Sequence, residues 1–109
     1  SAVENRYAKP ASERAFTSLI EVYQTSRQVT QMISGLTLRI MDASRFRVTY
    51  TFDDWATQAT IESRTVGYPG CYADINTTPQ HTGKIIFTMY WPAEDRWLGR
   101  NHEITLITP

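Results

Sequence analysis

Two carboxylate pairs stand beside two tryptophans in this chain: Asp53-Asp54 before Trp55, and Glu94-Asp95 before Trp97. Paired carboxylates can act as the acid and base of glycoside cleavage. That chemistry needs them held roughly 5–9 Å apart across a cleft. Adjacent acidic residues at turns are more often solvated turn formers, so the pairs do not by themselves predict catalysis. The tryptophans point to a different use. An indole flanked by carboxylate, amide and guanidinium groups suits a ring-shaped ligand: the aromatic face takes the apolar C–H face and the polar groups bond the hydroxyls. Trp97 has Asp95, Arg96 and Asn101 close in sequence. Spacing leaves two readings of Trp97 open, a sugar-stacking ring or a plug at one end of the fold.

Other chemistry is thinly represented. His81 and His102 are the only histidines, without spacing that forms a metal motif or a catalytic pair. Structural or surface roles are expected for both. Cys71 is the only cysteine, which excludes an intrachain disulfide and a multi-cysteine zinc site. A lone cysteine in a strand is expected to be a small buried hydrophobe, and it leans against a disulfide-stapled secreted domain. Phosphate loops and nucleophile elbows are absent from the sequence. Asn76-Thr77-Thr78 matches a glycosylation acceptor, a short pattern that matters only in a secretory pathway. No cofactor is expected.

The elements that must hold these residues read as strands. In Phe46 to Trp55, the side chains of Phe46, Val48, Tyr50 and Phe52 alternate with Arg47, Thr49 and Thr51. A period of two marks a strand with one buried face. Asp53-Asp54 then turns the chain and leaves Trp55 at the rim. Lys84 to Trp91 repeats the pattern, with Ile85, Phe87, Met89 and Trp91 on one face and Tyr90 on the other. Trp91 is therefore expected in the core and Tyr90 outside. Leu36, Leu38 and Ile40 form another strand, expected to join the Phe46 strand as a hairpin through Asp42 to Ser44. Short strands are expected over Thr60 to Val66, Cys71 to Ile75 and His102 to Thr108. Asn76 to Gly83 and Pro92 to Arg100 read as loops. Ala15 to Met32 fits a helix or strands, and its β-branched residues favour strands.

The chain has 109 residues, 41% hydrophobic and 20% charged, enough for one globular domain with a modest core. Eleven basic residues balance eleven acidic ones, so no basic field favours nucleic acid or an anionic membrane. No apolar run approaches the roughly 20 residues of a membrane helix. Residues 1–14 read as an arm or linker, and 15–109 as an all-β, immunoglobulin-like antiparallel β-sandwich of seven to eight strands. Ser1 and the strand ending at Pro109 read as the bounds of a piece of a longer protein.

Five segments carry a resemblance. VTYTFDDWATQ, GCYADI and IIFTMYWPAEDRWLGRNHEI resemble the C-terminal β-domain of bacterial family 15 glycoside hydrolases, the glucoamylase-like enzymes. GLTLRIMDASRF and VENRY resemble the lead-in strand and the segment that leaves the catalytic barrel. Asp53-Asp54-Trp55, with the stretch from Arg96 to His102, is more loosely similar to family 21 starch-binding modules. The resemblance implies a non-catalytic sandwich that contacts α-glucan, with Trp55, Tyr90 and Trp97 at the stacking positions. It also implies a neighbour, the catalytic domain of the parent chain. That family's catalytic carboxylates lie in its helical barrel, so this chain alone is not expected to hydrolyse glucan. After Trp97 the pattern departs: Leu98-Gly99-Arg100 and His102 replace acidic, amide and tyrosine positions. An alternative role follows, a structural domain packed on the parent's barrel without binding sugar.

Overall fold

The computed structural model describes residues 20–65 and 70–109. The expected arm (1–14), the start of the Ala15 to Met32 segment and Tyr68 lie outside the described residues. Among the described residues nine strands run in order: β1 (Ile20–Gln24), β2 (Gln31–Ile33), β3 (Thr37–Asp42), β4 (Arg47–Thr51), β5 (Ala59–Glu62), β6 (Cys71–Asn76), β7 (Lys84–Trp91), β8 (Arg96–Trp97) and β9 (His102–Ile107). They form two packed layers, a three-stranded sheet in the order β1-β3-β6 and a six-stranded sheet in the order β2-β9-β7-β4-β5, with β8 added against β7. The all-β immunoglobulin-like sandwich is therefore present. β3 and β6 pair in one sheet while β4, β7 and β9 pair in the other, so the chain changes sheet from β3 to β4 and again from β6 to β7.

Three details differ from the expectation. The described residues form nine strands because the short β2 and β8, of three and two residues, carry too little periodicity to read. Two pairings, β1 with β3 and β2 with β9, are parallel. A parallel pair needs a crossover of about a dozen residues. Residues 25–36 supply it by passing through the opposite sheet as β2. Finally, β3 and β4 are not a hairpin, since they lie in different sheets. β3 has its edges taken by β1 and β6, and β4 by β7 and β5. The Asp42 to Phe46 link, exposed from Ala43 to Arg45, carries the chain from one sheet to the other instead.

Alternation places the core. Ile85, Phe87, Met89 and Trp91 of β7 face Leu38 and Ile40 of β3, and all six are nearly inaccessible. Cys71 is buried among them, as expected for a small hydrophobe. The Trp91 indole N–H donates to Asp42 Oδ2 at 3.0 Å, which links the two sheets at their upper end. His102 has the structural role expected: its Nε2 lies 2.6 Å from the Val29 carbonyl and donates to it.

Tyr23 sits at the centre, edge-on to Phe87 with ring centroids 4.9 Å apart. Its side chain is fully buried, yet its hydroxyl has no hydrogen-bond partner among the described residues. Burial raises its pKa, opposed by Arg100, so the group stays neutral. An orphaned polar group costs its desolvation without return. Tyr23→Phe is therefore expected to raise unfolding stability by about 1 kcal/mol. Urea denaturation checks this, and a loss of stability would mean that the hydroxyl is bonded in solution.

Candidate functional site

The outer face of the six-stranded sheet carries the candidate residues. β7 turns Lys84, Ile86, Thr88 and Tyr90 to that side, and of these Ile86 is covered while the other three are exposed or half-buried. Register sets Arg47 of β4 beside Tyr90 on one side and Trp97 of β8 on the other. The three make a ledge at the upper end of the sheet. The Tyr90 and Trp97 rings are 4.7 Å apart and tilted by 48°, and the Arg47 guanidinium lies 5.5 Å from the Tyr90 centroid. Trp97 is 56% exposed, far more than a plug at the end of a sandwich would be.

Local chain geometry builds this ledge. After Trp91, Pro92–Glu94 form a single 3-10 turn. Asp95 closes it in the left-handed region, φ 49°, with its N–H on the Pro92 carbonyl. Aspartate tolerates that conformation better than most residues. The turn folds β8 back antiparallel on β7, and strand alternation separates its two side chains. Trp97 stands outward by Tyr90, while Arg96 lies over the Trp91 ring at 4.1 Å and bonds Glu94. Asp95 Oδ1 accepts the Tyr90 hydroxyl at 2.6 Å. That bond pushes the Tyr90 pKa above its ordinary value, so the phenol remains a donor held in one orientation.

Of the residues expected from sequence, Tyr90, Trp97 and Asp95 are brought together. Asn101 is exposed in the link between β8 and β9. Arg100, beside it, ties that link to the β1–β2 loop through Gln28. Trp55 lies elsewhere on the sheet. It follows β4, and Thr51 at the end of β4 pairs with Ile86, whereas Arg47 at its start pairs with Tyr90. Four residues of strand, about 13 Å, separate the two levels.

The Trp55 turn has an organiser that sequence reading missed. Thr51 points outward by alternation but is only 1% exposed, because residues 53–57 fold over it. Its Oγ1 accepts the N–H groups of Trp55 at 3.0 Å and Asp53 at 3.2 Å. Its single proton is shared between the Thr57 carbonyl at 2.5 Å and Asp53 Oδ1 at 2.7 Å. The Asp53 carboxylate also accepts the Thr57 N–H and hydroxyl. This network holds Asp54 and Trp55 in the left-handed region, at φ 56° and 72°. Two successive non-glycine residues there are strained, and such strain persists only where surrounding contacts over-determine it. A threonine two residues before the acidic pair was the one signal in the sequence.

Asp53 titrates within this network. Bonds from the Thr57 side chain, the Thr57 backbone and Thr51 lower its pKa from the ordinary 3.8 to about 2. A depressed carboxylate stabilises the fold above its unfolded pKa, and that contribution fades as pH falls through the folded value. The turn is therefore expected to hold at pH 5 and to loosen between about pH 4 and 2. The Thr57 amide shift in an NMR titration reads it directly. An unchanged Thr57 amide down to about pH 2 would remove Asp53 from the network.

Two concavities of about 380 Å³ each lie off this face, one between edge strands β5 and β6 and one beside the ends of β1 and β3. Neither includes Trp55, Tyr90 or Trp97. Among the described residues, no group of three or more His, Cys, Asp or Glu could hold a metal, and no helix is long and apolar enough to cross a membrane. His81 is structural: its Nδ1 accepts the Thr78 N–H and its ring stacks on Phe52 at 4.2 Å. The chain matches no protein-family model, no curated protein and no solved structure.

Proposed function

We propose that this chain is a non-catalytic accessory domain of a glucoamylase-like glycoside hydrolase and that it contacts α-glucan through surface aromatics. The observation that carries the reading is the ledge of Arg47, Tyr90 and Trp97 on an open sheet face. Trp97 offers an accessible indole plane, and Tyr90 a second ring fixed by Asp95. Arg47, held by Glu62 at 2.6 Å, and Asn101 offer donors for sugar hydroxyls at its margins. The resemblance to the family 15 accessory domain points to the same ligand. Stacking on a flat, solvated surface gives modest affinity, a dissociation constant around 10⁻⁵ to 10⁻³ M, or about −4 to −7 kcal/mol.

Titration with maltoheptaose, with cellohexaose as control, tests the reading. A saturable change with the α-glucan alone is expected. Trp97→Ala is expected to weaken binding by about tenfold, or roughly 1.4 kcal/mol, with the domain still folded. Undiminished affinity in that variant would remove Trp97 from the site.

A second reading has its own observation. Ile33 and Ile107 are cross-strand partners on the same outer face, 45% and 40% exposed. An exposed apolar pair favours docking on a protein surface, here the catalytic domain of the parent chain. Under that reading the separated catalytic domain forms a measurable complex with this one, and glucans do not bind.

A further inference from the structure

The Trp55 turn and the Tyr90–Trp97 ledge share one face at opposite ends of β4 and β7. Thr51 Oγ1, which points out from that face, accepts the Trp55 N–H. Lys84, on the outer row of β7, is kept charged first by its bond to Glu103 at 2.9 Å and, to a smaller extent, by the charge of Asp54. Midway between the two ends lies a crossbar of hydroxyls. Thr49 pairs with Thr88 on one side and Thr60 on the other, and the Thr49 and Thr60 hydroxyls are 3.0 Å apart. Thr60 is exposed, and Thr49 and Thr88 are half-buried. Along the strands the face thus runs from the aromatic ledge through the hydroxyls to the turn that carries the half-exposed Trp55, over about 13 Å.

The geometry points to a single track along β4 and β7 that takes an extended glucan chain rather than a chain end or a lone disaccharide. This inference rests on the sugar-binding reading of Tyr90 and Trp97. A disaccharide seated on the ledge reaches no further than the threonines. A longer chain reaches the Trp55 turn as well, and the second contact then acts at high effective concentration without a new binding event. The strained backbone at Asp54 and Trp55 has a use in this arrangement. It sets the turn against the same face as the ledge, where a turn of relaxed geometry would follow another course.

The test compares maltose with maltoheptaose on the intact chain. Maltoheptaose is expected to bind at least tenfold more tightly. In the wild type, the Trp97 indole N–H signal should move with either sugar, and the Trp55 signal with maltoheptaose alone. Trp55→Gly removes the indole and relieves the left-handed strain, so the turn can persist without it. It is expected to bring the maltoheptaose affinity down towards that of maltose. Equal affinities for the two sugars, a Trp55 signal that stays still with maltoheptaose, or an intact length dependence in Trp55→Gly would each overturn the track. Failure of both sugars to bind would overturn the sugar reading itself, and the track with it.

Discussion

Thr51→Val is expected to lower unfolding stability by about 2 kcal/mol. The side chains have nearly the same shape, so the change removes the hydroxyl and little packing. What is lost is one oxygen that accepts from Asp53 and Trp55 and donates toward Thr57 and Asp53. Its 1% exposure means that water cannot easily replace it. Without the network, Asp54 and Trp55 have no reason to remain left-handed, and the turn relaxes. Thr51→Ser keeps the oxygen and should retain most of the stability. Equal stability of the two variants, within about 0.5 kcal/mol, would show that the hydroxyl does not organise the turn. If the track along β4 exists, Thr51→Val should also erase the affinity gained from chain length, because it displaces Trp55.

Phe87→Ala is expected to cost more, about 3–5 kcal/mol. Phe87 is fully buried at the middle of β7, between Tyr50 of β4 and His102 of β9. Its ring meets Tyr23 edge-on, and the His102 ring lies 5.4 Å away. Tyr23 comes from the other sheet, so the contact spans the sandwich and the cavity would open at its centre. Neighbouring strands are held by hydrogen bonds on both edges and cannot close around it. A domain of this size has a total stability of about 5–15 kcal/mol, so the loss takes from about a fifth to all of it. Urea denaturation of Phe87→Leu provides the comparison. Its loss should stay under about 1.5 kcal/mol, because most of the volume is kept. An equal loss in both variants would assign the effect to the aromatic contact with Tyr23 and not to the cavity.

Much of the candidate site was legible in the chain because side-chain direction along a strand is local. Tyr90 follows Met89 and precedes Trp91, so one covalent geometry sends it out while its neighbours go in. The same alternation placed Phe46 and Val48 inside and Arg47 outside. Asp95 beside Trp97 was visible as a turn residue. Its bond to Tyr90 was less so, because it depends on the left-handed closure of the 3-10 turn. Arg96 shows the same limit. Sequence proximity set its guanidinium near Trp97, but the β7–β8 register carries it to Trp91. Arg47, remote in sequence, stands by Tyr90 instead.

By itself, then, the sequence determined the longer strands, which face of each is apolar, and that of the neighbours Tyr90 and Trp91 the first goes out and the second in. These follow from the pleat, whose period of two acts within a single strand. Tertiary structure alone decided the partners: that β3 and β4 divide between sheets, that β1 joins β3 and β2 joins β9 in parallel, and that Thr51 is buried beneath its own turn. It also set the Trp55 turn and Trp97 on one face at opposite ends. Pairing depends on competition among strands distant in the chain for the same edges and the same core. No local pattern contains that competition, and the strained turn at Trp55 exists only because its outcome holds Thr51 in place.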